Sequence, residues 1–140
     1  MAGIIKTYYD DGQLNEEYFE NDGKIEGEYK RYYDNGQLFE ICNYVDGKRE
    51  GEYKEYHNNG QLSLICNYVD GKREGQLIEY LRDGQIHNTC NYLNGEMDGE
   101  YVQYYNGQPC IKFIFKNGHM VVWFWIKIDL FIAVSLFYIA

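Results

Sequence analysis

Residues 36–53 read GQLFEICNYVDGKREGEY, and residues 60–77 read GQLSLICNYVDGKREGQL. The two stretches begin 24 residues apart and are identical at 14 of 18 positions. A third copy at residues 84–101 is looser, and the copies at residues 12–29 and from residue 107 onward are looser still. Self-similarity at a fixed period indicates a repeat array, in which each unit packs against its neighbours and the terminal units diverge.

Glycines that follow Asn or Asp divide the chain into short segments. They are Gly12, Gly23, Gly36, Gly47, Gly60, Gly71, Gly84, Gly95, Gly107 and Gly118. Their separations are 11, 13, 11, 13, 11, 13, 11, 12 and 11 residues. Asn-Gly and Asp-Gly favour two-residue hairpin turns, because both central residues of such a turn need positive φ. The spacing leaves room for strands of about eight residues and none for helices, so it predicts one β-hairpin per repeat.

Apolar residues alternate with polar ones inside each predicted strand, which is typical of a half-buried antiparallel strand. On one face of the first strands we place Leu38, Cys42, Tyr44, Leu62, Leu64, Cys66, Tyr68, Ile86, Cys90 and Tyr92. A second set of glycines predicts β-bulges: Gly27, Gly51, Gly75 and Gly99. The sequence therefore predicts an all-β fold, a meander of about ten strands forming an elongated, twisted, single-layer sheet in the shape of an open trough.

Aromatic residues recur at two sites in the second strand of each repeat. The first site holds Tyr29, Tyr53, Leu77 and Tyr101, and the second, three residues later, holds Tyr32, Tyr56, Tyr80 and Tyr104. A separation of three places the two sites on opposite faces of the sheet. In a single-layer sheet most such side chains are needed to cover backbone and pack across strands. We predict that one ladder remains exposed and binds a partner, and the candidate is the row Tyr32, Tyr56, Tyr80 and Tyr104.

The charge of the chain excludes some classes of partner. Lys and Arg number 13 against 22 Asp and Glu, a net charge of −9. This argues against nucleic acid, whose phosphates need a basic surface, and against attachment to anionic lipid by charge alone. The first residues contain no long apolar run, so we expect no secretory signal, a cytoplasmic location and four reduced cysteines.

The sequence offers no combination of side chains that favours catalysis, a cofactor or a metal ion. Cys42, Cys66 and Cys90 lie 24 residues apart, which places them about 9.5 Å from one another across two strand spacings. Disulfides need Cα atoms within about 7 Å, and zinc ligands must converge on one ion, so we interpret this site as apolar packing. The three histidines fall at unrelated repeat positions. We expect no enzymatic activity and no cofactor.

The pattern resembles the MORN repeat family in its variant form. The residues that carry the resemblance are Asn35-Gly36-Gln37-Leu38, Asp46-Gly47, Gly51, Tyr53 and Tyr56, and the likeness extends over residues 8–118. Here His57 and Leu81 replace a tyrosine of the family pattern, and Leu77 replaces another. The resemblance implies an elongated twisted β-sheet and a role as an interaction scaffold, in some members linked to membranes. Variant repeats of this kind also resemble bacterial antitoxin-like proteins.

The last 21 residues, MVVWFWIKIDLFIAVSLFYIA (120–140), differ in character from the repeats. Their length suits a membrane span, but Lys127 and Asp129 cancel most of the gain from inserting the apolar residues. As a strand, residues 122–128 have one unbroken apolar face and fall where the second strand of a fifth repeat is expected. We therefore divide the chain into a repeat array (1–118) and a tail (119–140), which is a terminal strand and cap or, alternatively, a membrane anchor.

From these observations we predict a non-enzymatic scaffold that mediates protein–protein interaction. Two alternatives remain open from the sequence. One is a membrane organiser held by residues 120–140, and the other is an antitoxin-like protein that neutralises a toxin by binding it.

Overall fold

The computed structural model describes residues 2–125 and 137–138. In this part of the chain fourteen strands form one sheet and no helix occurs. The strands are β1 (Gly3–Tyr8), β2 (Leu14–Asn21), β3 (Lys24–Tyr32), β4 (Leu38–Val45), β5 (Lys48–Arg49), β6 (Gly51–Tyr56), β7 (Leu62–Val69), β8 (Lys72–Tyr80), β9 (Ile86–Leu93), β10 (Glu96–Met97), β11 (Gly99–Tyr105), β12 (Gln108–Lys116), β13 (His119–Trp125) and β14 (Phe137–Tyr138).

The strands pair in chain order and every pair is antiparallel, with β5 and β6 both paired to β4, and β10 and β11 both paired to β9. Strands β5 and β6 are two parts of one strand interrupted at Glu50, and β10 and β11 are similarly interrupted at Asp98. The sheet is open, with β1 at one end. The all-β, single-layer hairpin meander predicted from the glycine spacing is therefore confirmed.

The hairpin turns lie along the two sides of the sheet where the strands end, and each side has its own kind of turn. We call the side with two-residue turns the short-turn edge. One of its turns is Asp46-Gly47, where both residues have positive φ (51° and 77°). Here the amide of Gly47 donates to the carbonyl of Ile25 in the preceding repeat (3.1 Å), and the amide of Asp46 donates to the Glu26 carboxylate (2.7 Å). Glu50 and Glu74 cap the following turns in the same way. Each short turn is thus fastened to its predecessor, at a sequence separation of about one repeat.

The long-turn edge has the turns at residues 9–13, 33–37, 57–61 and 81–85. Its repeats are joined by side chains. The Tyr33 hydroxyl donates to the carbonyl of Tyr56 (2.8 Å), and the His57 ring makes the equivalent bond to the carbonyl of Tyr80 (2.9 Å). Leu81, the next residue in this series, has no polar side-chain atom to continue it. His57 therefore takes the place that Tyr33 has in the preceding repeat, in position and in bonding.

Register shifts occur beside the second set of glycines. On β3, Tyr29 pairs with Tyr18 but Glu26 pairs with Phe19, so Gly27 and Glu28 are additional residues that form a bulge. Gly27 has φ of 74°, and Gly51, Gly75 and Gly99 also have positive φ. This conformation is strained for other residues, which explains why glycine recurs at each of these positions.

One prediction about side-chain direction is wrong. Leu38, Leu62 and Ile86 were expected on the face that carries Cys42, Cys66 and Cys90, because strict alternation places them there. Instead, Arg31 pairs with Glu40 but Tyr32 pairs with Leu38, so Phe39 is an extra residue in β4. The same shift recurs in β7 and β9. Since directly opposed residues share a face, these three aliphatic residues lie with the row Tyr32, Tyr56 and Tyr80.

The buried residues lie along the other face, which we call the core face. Its apolar members are Tyr29, Cys42, Tyr53, Leu64, Cys66, Tyr68, Leu77 and Cys90. Tyr29 is paired with Cys42, Tyr53 with Cys66 and Leu77 with Cys90. Small thiols opposite larger side chains fill one continuous layer above the backbone. The position of the three cysteines is therefore an apolar slot, and all four cysteines are free.

Deleting one whole period should leave a folded, shorter sheet. Removal of residues 60–83 joins Asn59 to Gly84, so the turn keeps its sequence pattern and β6 meets β9 in place of β7. The Glu50 carboxylate then caps Asn94 as it now caps Asp70. We expect the β-type circular dichroism spectrum and a cooperative unfolding transition to persist. Deletion of residues 60–71, half a period, is the control and should abolish both, and loss of both in the full-period deletion would contradict the array.

Candidate functional site

The predicted row Tyr32, Tyr56, Tyr80 and Tyr104 lies on the face opposite the core, which we call the tyrosine face. Each of these tyrosines is half-buried. Each is directly paired across the long-turn edge, in order with Leu38, Leu62, Ile86 and Pro109. Successive tyrosines are two strands apart, about 9.5 Å. Tyrosine rings and apolar side chains therefore alternate in a stripe perpendicular to the strands. The structure places the four tyrosines on one face, but their part in binding stays a prediction.

The tyrosine face changes character along the sheet. The residue two positions before each row tyrosine shares its face and is successively Lys30, Lys54, Ile78 and Val102. Lys30 is paired with Glu28, and Lys54 with Glu52 at 2.5 Å. Ile78 and Val102 are half-buried and are joined through the strand pairing by Thr89. Lys112 lies directly opposite Val102 and is ion-paired with Glu100. The tyrosine face thus has an uncharged stretch at Ile78, Thr89 and Val102, with an ion pair on either side of it.

The core face carries a charged cluster that the sequence patterns did not reveal. The Glu40 side chain is only 3% exposed, and its carboxylate accepts bonds from Arg31 (2.8 Å) and Arg49 (3.0 Å). The Tyr53 hydroxyl approaches the same carboxylate at 3.2 Å, and Arg49 stacks over the Tyr53 ring, 4.8 Å from its centre. Because two cations surround one buried anion, the cluster joins three neighbouring strands by charge.

Arg73 continues this pattern in the next repeat without a buried carboxylate. It donates to the hydroxyls of Tyr68 (3.3 Å) and Tyr92 (3.2 Å) and lies over the Tyr92 ring. Leu64 occupies the position that corresponds to Glu40. A signal was available in the sequence, because Glu40 is a carboxylate at an inward position that is apolar in the following copy. Its arginine partners could be assigned only once the strand register was known.

An open groove lies at the long-turn end of the core face. His87 approaches the Glu79 carboxylate at 3.8 Å, and the Asn88 amide donates to the same carboxylate at 2.6 Å. Ser63 and His57 also line the groove. The His57 ring is engaged with a backbone carbonyl. Structural hydrogen bonds account for these polar groups, and this arrangement offers no nucleophile activated by a neighbouring base.

The buried thiols are poorly suited to chemistry. Burial raises the pKa of Cys42 and of Cys66 to about 11, and it raises the pKa of Cys90 as well. Thiols of this kind stay protonated near neutral pH, whereas the thiolate is the nucleophile and the metal ligand. Within the described residues, no three His, Cys, Asp or Glu side chains come together in a way that could hold a metal ion.

Comparison with known families places these hairpins in a wider group. The family model described as MORN repeat variant matches residues 1–21, 25–46 and 49–70. The first half of the chain, residues 1–70, belongs to the MORN repeat family. Each matched segment contains two neighbouring strands joined by a long turn, if the interrupted strand β5 and β6 is counted as one. The structure continues the same hairpins beyond residue 70. No curated protein matches the chain.

MORN repeats are generally protein-interaction or membrane-binding repeats, and the family is of the scaffold type and is not typically enzymatic. In this MORN protein, β13 begins directly after the last turn and pairs with β12, and β14 pairs with β13. Residues 126–136 and 139–140, on which the choice between a terminal cap and a membrane anchor depends, lie outside the described residues. Over residues 2–125 and 137–138, no helix has the length and apolar character needed to cross a bilayer.

Proposed function

We propose that this MORN protein is a non-catalytic scaffold that binds a protein partner in the cytoplasm through its tyrosine face. The observation that carries the proposal is the row Tyr32, Tyr56, Tyr80 and Tyr104, which runs over four repeats on the face without the buried core. Tyrosine provides a large contact area at a low cost in conformational entropy, and it is enriched at interfaces. A regular row of such residues favours an extended partner surface over a small molecule.

The uncharged stretch of the tyrosine face is where we expect the partner to bind most tightly. Between Tyr80 and Tyr104 it presents Ile78, Thr89 and Val102, and the ion pair of Lys112 with Glu100 marks its far end. Residues that dominate binding energy cluster where water is excluded, and an uncharged surface loses water at lower cost than ion-paired lysines do. The net charge of −9 further favours a protein partner over nucleic acid.

A pair of variants at adjacent tyrosines tests this proposal. Partners captured from cells by the full chain are identified by mass spectrometry, and each is purified and titrated by calorimetry against the full chain. Tyr80→Ser with Tyr104→Ser should weaken binding at least about tenfold. Tyr105→Ser is the matched control, because this neighbour is 68% exposed and points to the opposite face. Equal affinity of the double variant and the control for every purified partner would refute the tyrosine face as the binding surface.

The same preparation separates the alternatives. Flotation with lipid vesicles by the full chain, and not by a chain ending at Gly118, would favour a membrane organiser held by residues 120–140. Inhibition of a toxic enzyme by one molar equivalent of the protein would favour the antitoxin-like role. Binding of a non-enzymatic partner without flotation is the result expected of a cytoplasmic scaffold.

A further inference from the structure

Five Asn-Gly steps occur in the chain, and they allow a controlled comparison. They are Asn35-Gly36, Asn59-Gly60, Asn94-Gly95, Asn106-Gly107 and Asn117-Gly118. Asparagine is a labile residue, because its side-chain carbonyl carbon can be attacked by the backbone nitrogen of the next residue. Glycine hinders that attack least, since it has no Cβ and allows many backbone conformations. An amide that is held by a carbonyl must first be released by local opening.

Four of the five glycine amides are held in this way. On the long-turn edge, the amide of Gly36 donates to the carbonyl of Tyr33 (3.0 Å), and Gly60 makes the equivalent bond within its own turn (2.8 Å). On the short-turn edge, the amides of Gly95 and Gly118 donate to carbonyls of the preceding repeat, both at 2.9 Å. Both kinds of edge therefore protect the nitrogen that would attack.

Gly107 differs from the other four. No carbonyl among residues 2–125 and 137–138 accepts its amide, and both Asn106 and Gly107 are exposed. The backbone of Asn106 has φ of 49°, close to the 53° of Asn94 and the 50° of Asn117. The three turns thus share a dipeptide and a conformation of the asparagine, and they differ in the hydrogen bond of the glycine amide.

The repeat pattern explains this exception. Gly107 follows Gly84 and Gly95 at a separation of 12 residues from the latter, whereas the long-turn edge elsewhere requires 13. With one residue fewer, the turn closes through an additional pair, Tyr105 with Gln108, and becomes a two-residue turn on the long-turn edge. The Gly107 amide therefore lacks the bond to a carbonyl of its own turn that Gly36 and Gly60 make. It also lacks the bond to a carbonyl of the preceding repeat that Gly95 and Gly118 make.

We propose that Asn106 is a site of spontaneous deamidation in the folded protein. The backbone nitrogen of Gly107 loses its proton to water and bonds to Cγ of Asn106. The bond from Cγ to Nδ2 breaks, and Nδ2 leaves as ammonia with a proton from water. Water then opens the resulting succinimide at either carbonyl, giving aspartate or isoaspartate. The new carboxylate changes the net charge from −9 to −10, by one unit.

Peptide mass mapping of the native protein incubated at mildly alkaline pH tests this assignment. Asn106 should deamidate about fivefold faster than Asn94 and Asn117, because each of those must first break a hydrogen bond worth about 1 kcal/mol. The matched control is the same chain unfolded in urea, where the three rates should become similar. Hydrogen exchange, measured separately, should be faster at Gly107 than at Gly95 and Gly118. Asn106→Ala should remove the rapidly formed, more acidic species from ion-exchange profiles.

Similar native rates at the three turns would overturn the proposal. It would also be overturned if Asn106 led by the same factor in urea, since the neighbouring sequence and not the fold would then set the rate. Faster deamidation at Asn35 or Asn59 than at Asn106 would also overturn it, because the bonds within the long turns would then not protect the glycine amides.

Discussion

Replacement of Glu40 by alanine should destabilise the sheet by about 3 kcal/mol, measured as the free energy of unfolding in urea. The Glu40 carboxylate is almost wholly buried and accepts bonds from Arg31, Arg49 and Tyr53. Its removal leaves two guanidinium groups close together without their anion. Breaking a buried ion pair costs about 3–5 kcal/mol, and the lower end applies because solvent reaches both arginines, whose side chains are 39% and 32% exposed.

Glu52→Ala is the matched control for this variant. Glu52 also pairs with a cation, Lys54 at 2.5 Å, but its side chain is 60% exposed and lies on the tyrosine face. Exposed pairs contribute about 0–1 kcal/mol, so the control should unfold almost as the parent does. Comparable losses in the two variants would mean that the Glu40 cluster contributes no more than a surface ion pair.

The hairpin array was predictable because its signals are local. A dipeptide such as Asp46-Gly47 sets both φ angles of a turn, and the spacing of such dipeptides sets strand length. The bulge at Phe39 was not predictable in this way. No glycine marks it, and it exists because the turn at residues 33–37 and the pairing of Glu40 with Arg31 demand different registers. Leu38 was consequently assigned to the wrong face.

The tyrosine row of the candidate site was predictable from the sequence, and the Glu40 cluster was not. The tyrosine row follows from period and alternation, because no bulge intervenes between Tyr29 and Tyr32 on β3. The Glu40 cluster depends on residues of three strands, and Leu64 and Asn88 at the equivalent positions conceal it from any repeat comparison. Because the cluster occurs in a single repeat, a comparison of the repeats shows no recurring pattern that would point to it.

Replacement of Leu77 by alanine should lower the free energy of unfolding by about 2–3 kcal/mol. Leu77 is 2% exposed on the core face, opposite Cys90, at the site that Tyr29, Tyr53 and Tyr101 occupy in other repeats. Replacing a buried leucine with alanine typically lowers stability by about 2–5 kcal/mol. We expect the lower part of that range, since in a single-layer sheet the neighbouring long side chains can settle into part of the space. Urea unfolding measures the loss.

Leu77→Tyr distinguishes loss of packing from intolerance of any change at this site. The hydroxyl of Tyr53 donates to Glu55, two residues later, at 2.5 Å. Glu79 stands in the same relation to residue 77, so a tyrosine there has a partner, and we expect stability within about 1 kcal/mol of the parent. Leu81→Ala, at a residue that is 40% exposed, should also have little effect. If Leu77→Tyr is destabilised as much as Leu77→Ala, the repeats are not interchangeable at this site, and the packing around Leu77 is specific to its own hairpin.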